Sequence, residues 1–112
     1  MVLGGRKKDN RGAMLLYASK DKKHWEFVRE VTTREPFGYM WECPDAFCLD
    51  GQWLLSVSPQ GLKREEFCRQ NIYQSGYFIL PEKWMEEGEP KEFREWDMGF
   101  DFYAPQTFLS ED

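Results

Sequence analysis

The chain has 112 residues, which is enough for one small domain with a modest core. Its 41% hydrophobic and 17% aromatic content excludes an intrinsically disordered segment. Its net charge of -5, with acidic residues spread along the chain, makes nucleic acid and anionic membrane poor partners.

Apolar and polar residues alternate along most of the chain, and turn residues interrupt the alternation, which is typical of short β-strands. In chain order we predict strands at Met1 to Gly5, Ala13 to Ser19, Trp25 to Val31, Pro44 to Leu49, Trp53 to Ser58, Tyr73 to Leu80, Glu92 to Trp96 and Phe102 to Leu109. Asp50-Gly51 is the strongest hairpin signal, because both residues tolerate the backbone of a tight β-turn. Residues 81–87 are expected to form one helical turn, with Trp84 as its apolar anchor. The sequence therefore predicts an all-β fold.

Two segments of the chain resemble each other. Trp41-Glu42-Cys43-Pro44-Asp45 and Tyr103-Ala104-Pro105-Gln106 each open a strand-like run, and each has a proline followed three residues later by a phenylalanine. A blade of a β-propeller is a sheet of four strands, and the next blade begins with a new strand. The predicted strands fit this pattern, because four of them are followed by a new one about sixty residues after the first. A sandwich or a jelly roll would show similar strands, but neither has a reason to produce the matching runs.

We therefore predict a portion of a β-propeller that holds roughly two blades of antiparallel meanders. Residues 1–37 are expected to form the outer strands of one blade, residues 38–98 one full blade, and residues 99–112 the first strand of the next. The sequence begins inside a predicted strand and ends at a predicted turn, so we expect it to be a piece of a longer propeller. Such a piece leaves unpaired strand edges, so we expect it to self-associate through them.

Metal and cofactor chemistry is not expected. Cys43, Cys48 and Cys68 are odd in number and lack zinc-like spacing, so neither a disulfide framework nor a metal site is indicated. His24 lies beside Trp25 in a polar turn and is expected at the surface. No apolar stretch is long enough to span a membrane and the first residues do not resemble a signal peptide, so the predicted location is cytoplasmic.

Glu42 is the first candidate for chemistry. It lies at the entrance of a predicted strand, beside Trp41 and ahead of a proline that restricts the backbone. A carboxyl held against an aromatic wall loses hydration, which favours the protonated form and makes the group a general acid. A glutamate at a strand start is more often a surface or turn residue, and the local sequence leaves both interpretations open.

Four segments, in order, resemble landmarks of the family 32 glycoside hydrolases, which are the invertases, bacterial sucrose-6-phosphate hydrolases and related β-fructofuranosidases. These segments are residues 16–25, 41–45, 73–78 and 101–106. The resemblance implies a five-bladed propeller followed by a β-sandwich. It also implies a retaining hydrolysis of the β-fructofuranosidic bond of sucrose or sucrose 6-phosphate, so the expected partner is a small carbohydrate.

The resemblance also assigns roles to residues. Glu42 takes the acid/base role, Cys43 lines the fructose pocket, Asp101 binds sugar hydroxyls, Tyr103 is a pocket neighbour, and Trp41 and Asp45 orient the other groups. Retaining chemistry needs two carboxyls about 5 to 5.5 Å apart. The family's Asn-Asp-Pro-Asn nucleophile motif and its Arg-Asp-Pro motif do not occur in these residues. We therefore expect this chain to be an internal piece of the propeller, inactive by itself.

Two alternatives stay open. One is a non-catalytic carbohydrate-binding or interaction module, in which Trp41, Asp101 and Tyr103 hold a sugar without cleaving it. The other is a propeller glycosidase of a related family with a different sugar. The Tyr-Gln-Ser-Gly-Tyr segment favours the sucrose-6-phosphate type, but Arg64 and Arg69 are candidates for a phosphate site by charge alone.

Overall fold

The computed structural model describes residues 1–110. Seven strands follow one another: β1 (Val2–Arg6), β2 (Gly12–Ala18), β3 (Glu26–Val31), β4 (Met40–Leu49), β5 (Gln52–Gln60), β6 (Gly76–Ile79) and β7 (Lys91–Glu95). They form two antiparallel sheets, with strand orders β1-β2-β3 and β4-β5-β6-β7. The all-β prediction is confirmed. Within the described part of the chain, no helix has the length and apolar character needed to cross a membrane.

The hairpin predicted at Asp50-Gly51 is present, and the predicted strands Ala13 to Ser19 and Trp25 to Val31 form a second one. Asp50 and Gly51 join β4 to β5 with φ angles of 50° and 80°, and this pair of positive angles is the signature of a type I′ turn. Strands β2 and β3 pair across the polar turn at residues 19–25. Within that turn, Asp21 accepts the main-chain N–H groups of Lys23 and His24. The His24 side chain is 89% exposed, as expected.

Three predicted elements differ from the structure. Strand β4 begins at Met40 rather than Pro44, so Glu42 lies inside the strand and not at its entrance. Strand β6 is limited to Gly76–Ile79, whereas the predicted strand ran from Tyr73 to Leu80. Residues 81–87 do form hydrogen-bonded turns around a buried Trp84, and the bond from the Glu87 N–H to the Lys83 carbonyl has the i→i+4 span of a single helical turn. No strand forms at residues 102–109, because a strand needs a neighbour for its backbone groups and none of the described strands pairs there. The assignment of residues 99–112 to a further blade stays a prediction, and its last two residues lie outside the described ones.

The core lies where the two sheets meet. Met14, Leu16 and Val31 from the first sheet pack with apolar side chains of the second sheet and of the residue that follows β6, which are Trp41, Leu55, Val57, Phe78 and Leu80. Trp41 is fully buried, and its indole Nε1 donates to the Phe37 carbonyl at 2.8 Å. Burying this indole therefore leaves its polar atom satisfied.

Two glycines allow β4 to lie directly against the first sheet. A Cβ atom on Gly4 would sit 2.1 Å from the Trp41 carbonyl oxygen, and one on Gly12 would sit 2.2 Å from the Trp41 ring. Any side chain at either position would push the sheets apart. The contact between the sheets therefore requires glycine at both positions. It sets the position of β4, the strand that carries Glu42.

Candidate active site

A β-bulge shapes the start of β4. Glu42 pairs with Ser58 and Asp45 pairs with Ser56, so two residues of β4 face one residue of β5 between these pairs. Cys43, within the bulge, has a φ of 48°, which is uncommon for a residue with a side chain. Pro44 is tolerated here because β4 is an edge strand and the position belongs to a bulge.

The bulge decides where the carboxyls point. Side chains three positions apart on a regular strand face opposite sides of the sheet. The extra residue instead gives Glu42 and Asp45 partners, Ser58 and Ser56, that are two apart on β5 and so share one face. Both carboxyls therefore lie on the face of the sheet away from the core.

Glu42 has a hydrogen-bond partner from the far end of the chain. The Tyr103 hydroxyl donates to Glu42 Oε2 at 2.6 Å, across a sequence separation of 61 residues. Partial burial, and then the hydrogen bond to Glu42, raise the pKa of Tyr103 to about 12, against the lowering effect of Gln60. The phenol therefore keeps its proton at any ordinary pH, and it remains a donor to the carboxylate.

Asp45 binds the same segment four residues further on. Its Oδ2 accepts both the main-chain N–H and the Oγ1 hydroxyl of Thr107, each at 2.7 Å. A carboxylate that receives two donors at one oxygen makes charge-assisted bonds, which are stronger than bonds between neutral groups. The segment from Tyr103 to Thr107 is thus tied to β4 at two points.

Asp101 lies at a small pocket next to this arrangement. The pocket has a volume of about 260 Å³, and its lining residues are Asn71, Ile72, Tyr73, Phe100, Asp101, Phe102 and Tyr103. The rings of Tyr73 and Tyr103 lie 5.4 Å apart. Tyr103 therefore connects the pocket that contains Asp101 with the Glu42 carboxyl.

The structure does not support the predicted aromatic wall beside Glu42. Strand alternation sends the Trp41 ring to the opposite face, into the core, where it packs against Phe78 at 5.1 Å. Trp41 therefore fixes β4 in place and does not shield the carboxyl. The aromatic neighbour of Glu42 is Tyr103.

The two arginines considered for a phosphate site, Arg64 and Arg69, already have partners. Arg69 forms an ion pair with Glu65 at 2.8 Å, and its guanidinium lies 5.5 Å from the Phe37 ring centre. Arg64 donates to the Gln70 carbonyl. Among residues 1–110, no cluster of three or more His, Cys, Asp or Glu side chains is arranged to hold a metal ion, and all three cysteines are free thiols.

Comparison with known proteins decides the family. A sequence model described as the Glycosyl hydrolases family 32 N-terminal domain matches residues 1–112. The chain belongs to this family. The N-terminal domain of family 32 is a β-propeller, so the prediction of a propeller portion is confirmed.

Individual relatives agree with this family 32 assignment. The chain is 45% identical over 116 residues to the sucrose-6-phosphate hydrolase of Bacillus subtilis (strain 168), covering 96% of this chain and 24% of the relative. A Bombyx mori GH32 beta-fructofuranosidase matches with a TM-score of 0.87 and 40% identity over 98% of this chain and 24% of that one. An Asp-to-Ala mutant of that enzyme in complex with sucrose matches with a TM-score of 0.85, 41% identity and the same coverage. The chain thus spans about a quarter of the length of the relatives it matches.

Some features of this family 32 chain escaped the sequence analysis. Thr107 carries no motif of its own, and only the structure brings it to Asp45. Tyr103 was expected near the pocket, but its bond to Glu42 joins two segments that no local pattern connects. The bulge has one sequence signal, since Pro44 cannot donate to a regular strand ladder.

Proposed function

We propose that this chain supplies the acid/base residue, Glu42, of a retaining glycoside hydrolase that cleaves the β-fructofuranosidic bond of sucrose or sucrose 6-phosphate. The observation that carries the proposal is the hydrogen bond from the Tyr103 hydroxyl to Glu42 Oε2, at 2.6 Å. This bond holds a half-buried carboxyl in one orientation, through a tyrosine that lines a pocket. The names of the relatives, sucrose-6-phosphate hydrolase and beta-fructofuranosidase, support the substrate class.

The proposed reaction has two steps. In the first, protonated Glu42 gives its proton to the glycosidic oxygen while the nucleophilic carboxylate bonds to the anomeric carbon, and the leaving sugar departs with that proton. In the second, the Glu42 carboxylate takes a proton from water as the water oxygen displaces the nucleophile from the fructosyl carbon. The nucleophile belongs to a motif outside these 112 residues, so we propose that this chain alone does not catalyse the reaction.

Each residue of the site has one assigned task. Tyr103 occupies Oε2 of Glu42 and thereby directs Oε1 to the glycosidic oxygen or the water. Because the pKa of Tyr103 is raised to about 12, its own proton does not enter the reaction. We assign the pocket beside Tyr103 to the sugar, with Asp101 as an acceptor for its hydroxyls. Cys43 does not line this pocket, and we assign it to the fructose site through its position next to Glu42 on β4.

A hybrid enzyme tests the proposal. In this hybrid, the 112-residue chain replaces the matching region of the B. subtilis sucrose-6-phosphate hydrolase. General acid-base catalysis contributes roughly 10²- to 10⁴-fold, so we expect Glu42→Gln to lower kcat by about that factor with little change in KM. Glu82→Gln, at an exposed glutamate, is the matched control and is expected to leave kcat unchanged.

Assays of the hybrid with sucrose and with sucrose 6-phosphate decide between the two substrates by kcat/KM. The 112-residue chain alone should bring about no turnover. A hybrid in which Glu42→Gln keeps full activity would contradict the acid/base assignment. Sugar binding by the isolated chain, measured by calorimetry and unaffected by Glu42→Gln, together with an inactive hybrid, would favour the non-catalytic binding module.

A further inference from the structure

We propose that Asp45 and Thr107 form a clamp that positions Tyr103 against Glu42, so that Thr107 is a positioning residue for the acid/base. This inference rests on the proposed function, because it concerns the orientation of the carboxyl assigned there. It adds a residue that lies outside the landmarks quoted above and whose backbone and side chain both take part.

The two hydrogen bonds of the clamp restrict both the backbone and the side chain of Thr107. One oxygen of Asp45 accepts two donors of the same residue, the main-chain N–H and the Oγ1 hydroxyl of Thr107. The main-chain donor fixes the path of the backbone, and the hydroxyl donor fixes the side-chain rotamer as well. Two bonds to one charged acceptor restrict Thr107 more than either bond alone.

A short segment of chain joins the clamp to the hydrogen bond between Tyr103 and Glu42. Glu42 and Asp45 are separated on β4 by only the bulge residues, and their partners Tyr103 and Thr107 are separated by three residues. Within those three, the ring of Pro105 fixes its own φ angle and Ala104 has a φ of 53°. A short, stiff connection of this kind transmits the position of Thr107 to Tyr103.

Few other contacts hold this segment in place. It forms no regular strand, so it lacks the ladder of backbone hydrogen bonds that would otherwise fix its position. Tyr103 also meets the Tyr73 ring, at a centroid distance of 5.4 Å, and its oxygen accepts a hydrogen bond from the Gln60 side chain. Both contacts act on the phenol, and neither fixes the backbone of residues 104–107, which the bonds between Asp45 and Thr107 hold. Loss of the clamp is therefore expected to let the phenol move away from Glu42.

The test uses kinetics of the hybrid enzyme. Thr107→Val keeps the shape and the main-chain donor but removes the hydroxyl, and we expect kcat to fall about tenfold with KM nearly unchanged. Thr107→Ser retains both donors and is expected to restore kcat to within about twofold of the unaltered hybrid. Because a smaller amount of folded enzyme would also lower the apparent kcat at an unchanged KM, kcat is calculated per folded enzyme, with the folded fraction measured by circular dichroism. A residue needed only for folding would leave this corrected kcat unchanged.

A double-mutant cycle shows whether Thr107 acts through Tyr103. In the Tyr103→Phe background the phenol is absent, so Thr107→Val should have almost no further effect on kcat. A full additional tenfold loss in that background would overturn the clamp, as would a Thr107→Val enzyme with the kcat of the unaltered hybrid. If Thr107→Val does not fold, Asp45→Asn provides the same cycle, because it keeps the shape and removes the charge of the acceptor.

The outcomes separate this inference from the proposed function. An active hybrid that depends on Glu42 but keeps its full kcat in Thr107→Val, or in Asp45→Asn where Thr107→Val does not fold, refutes the clamp alone. A hybrid that retains activity in Glu42→Gln refutes the acid/base assignment on which the clamp rests.

Discussion

Replacing Gly12 by alanine should damage the contact between the two sheets. The added Cβ would lie 2.2 Å from Cδ1 and 2.5 Å from Nε1 of Trp41, whereas ordinary contact begins at 3.4 Å. The indole is fully buried and bonded to the Phe37 carbonyl. Gly12 is also held, since its N–H donates to the Gly38 carbonyl at 3.0 Å and its own carbonyl accepts from the Thr32 hydroxyl at 2.8 Å. Neither Trp41 nor residue 12 can therefore move away without losing these contacts.

The expected magnitude follows from three contributions. Overpacking a buried site costs about 1 to 3 kcal/mol. Weakening the indole hydrogen bond costs about 1 kcal/mol more. Against these, replacing glycine by alanine stabilises by about 0.4 to 1 kcal/mol, because the unfolded chain loses freedom. We therefore expect Gly12→Ala to lower the free energy of unfolding by about 2 kcal/mol.

The measurement is equilibrium unfolding of the 112-residue chain in urea, followed by tryptophan fluorescence at one protein concentration. Gly5→Ala is the matched control, because it lies in the same sheet and its Cβ would meet nothing closer than the Ala13 carbonyl oxygen, at 4.0 Å. We expect the control to equal the parent chain or to exceed it by up to about 1 kcal/mol, because the unfolded chain loses freedom and nothing is strained. Equal stability of Gly12→Ala and Gly5→Ala would refute the packing of Trp41 against Gly12.

Two further predictions concern local structure. The pKa of Asp21 lies well below its usual range, because its carboxylate accepts from the main-chain N–H and the ring of His24 and from the N–H of Lys23. The carboxylate therefore supports the β2–β3 turn at neutral pH. That support is lost as the pH falls below about 4. We expect the melting temperature of Asp21→Ala to lie below that of the parent chain at pH 7 and the gap to narrow at pH 3; a constant gap would contradict this. At Cys43, whose φ is 48°, we expect Cys43→Asn to stay within about 0.5 kcal/mol of the parent chain in urea unfolding, while the β-branched Cys43→Val loses about 1 to 2 kcal/mol. A valine variant as stable as the asparagine variant would argue against the left-handed backbone.

The sequence predicts those parts of the fold that depend on neighbouring residues. Asp50-Gly51 specifies its hairpin because both residues accept positive φ angles, and the strands around it follow from alternation. Residues 102–109 show where alternation fails. Their pattern is that of a strand, but a strand also needs a partner edge, and no local pattern supplies that information.

The candidate site divides in the same way. Glu42 stands out through its motif, whereas its contact with Tyr103 and the contact of Asp45 with Thr107 span 61 and 62 residues. Such contacts depend on how two sheets and a terminal segment come together, which periodicity does not encode. The bulge at Cys43 changes which face Asp45 occupies, and a strand drawn from alternation alone places that carboxyl on the wrong side.

The three long-range hydrogen bonds to β4, one on Glu42 and two on Asp45, bear on how family 32 chains can be recombined. A crossover placed between residues 96 and 102 would take Glu42 and Asp45 from one parent and Tyr103 and Thr107 from another. The boundary after the second sheet looks like a suitable place for exchanging modules, yet a crossover there separates Glu42 and Asp45 from their hydrogen-bond partners. Chimeras that keep residues 40–110 from a single parent preserve the pairing.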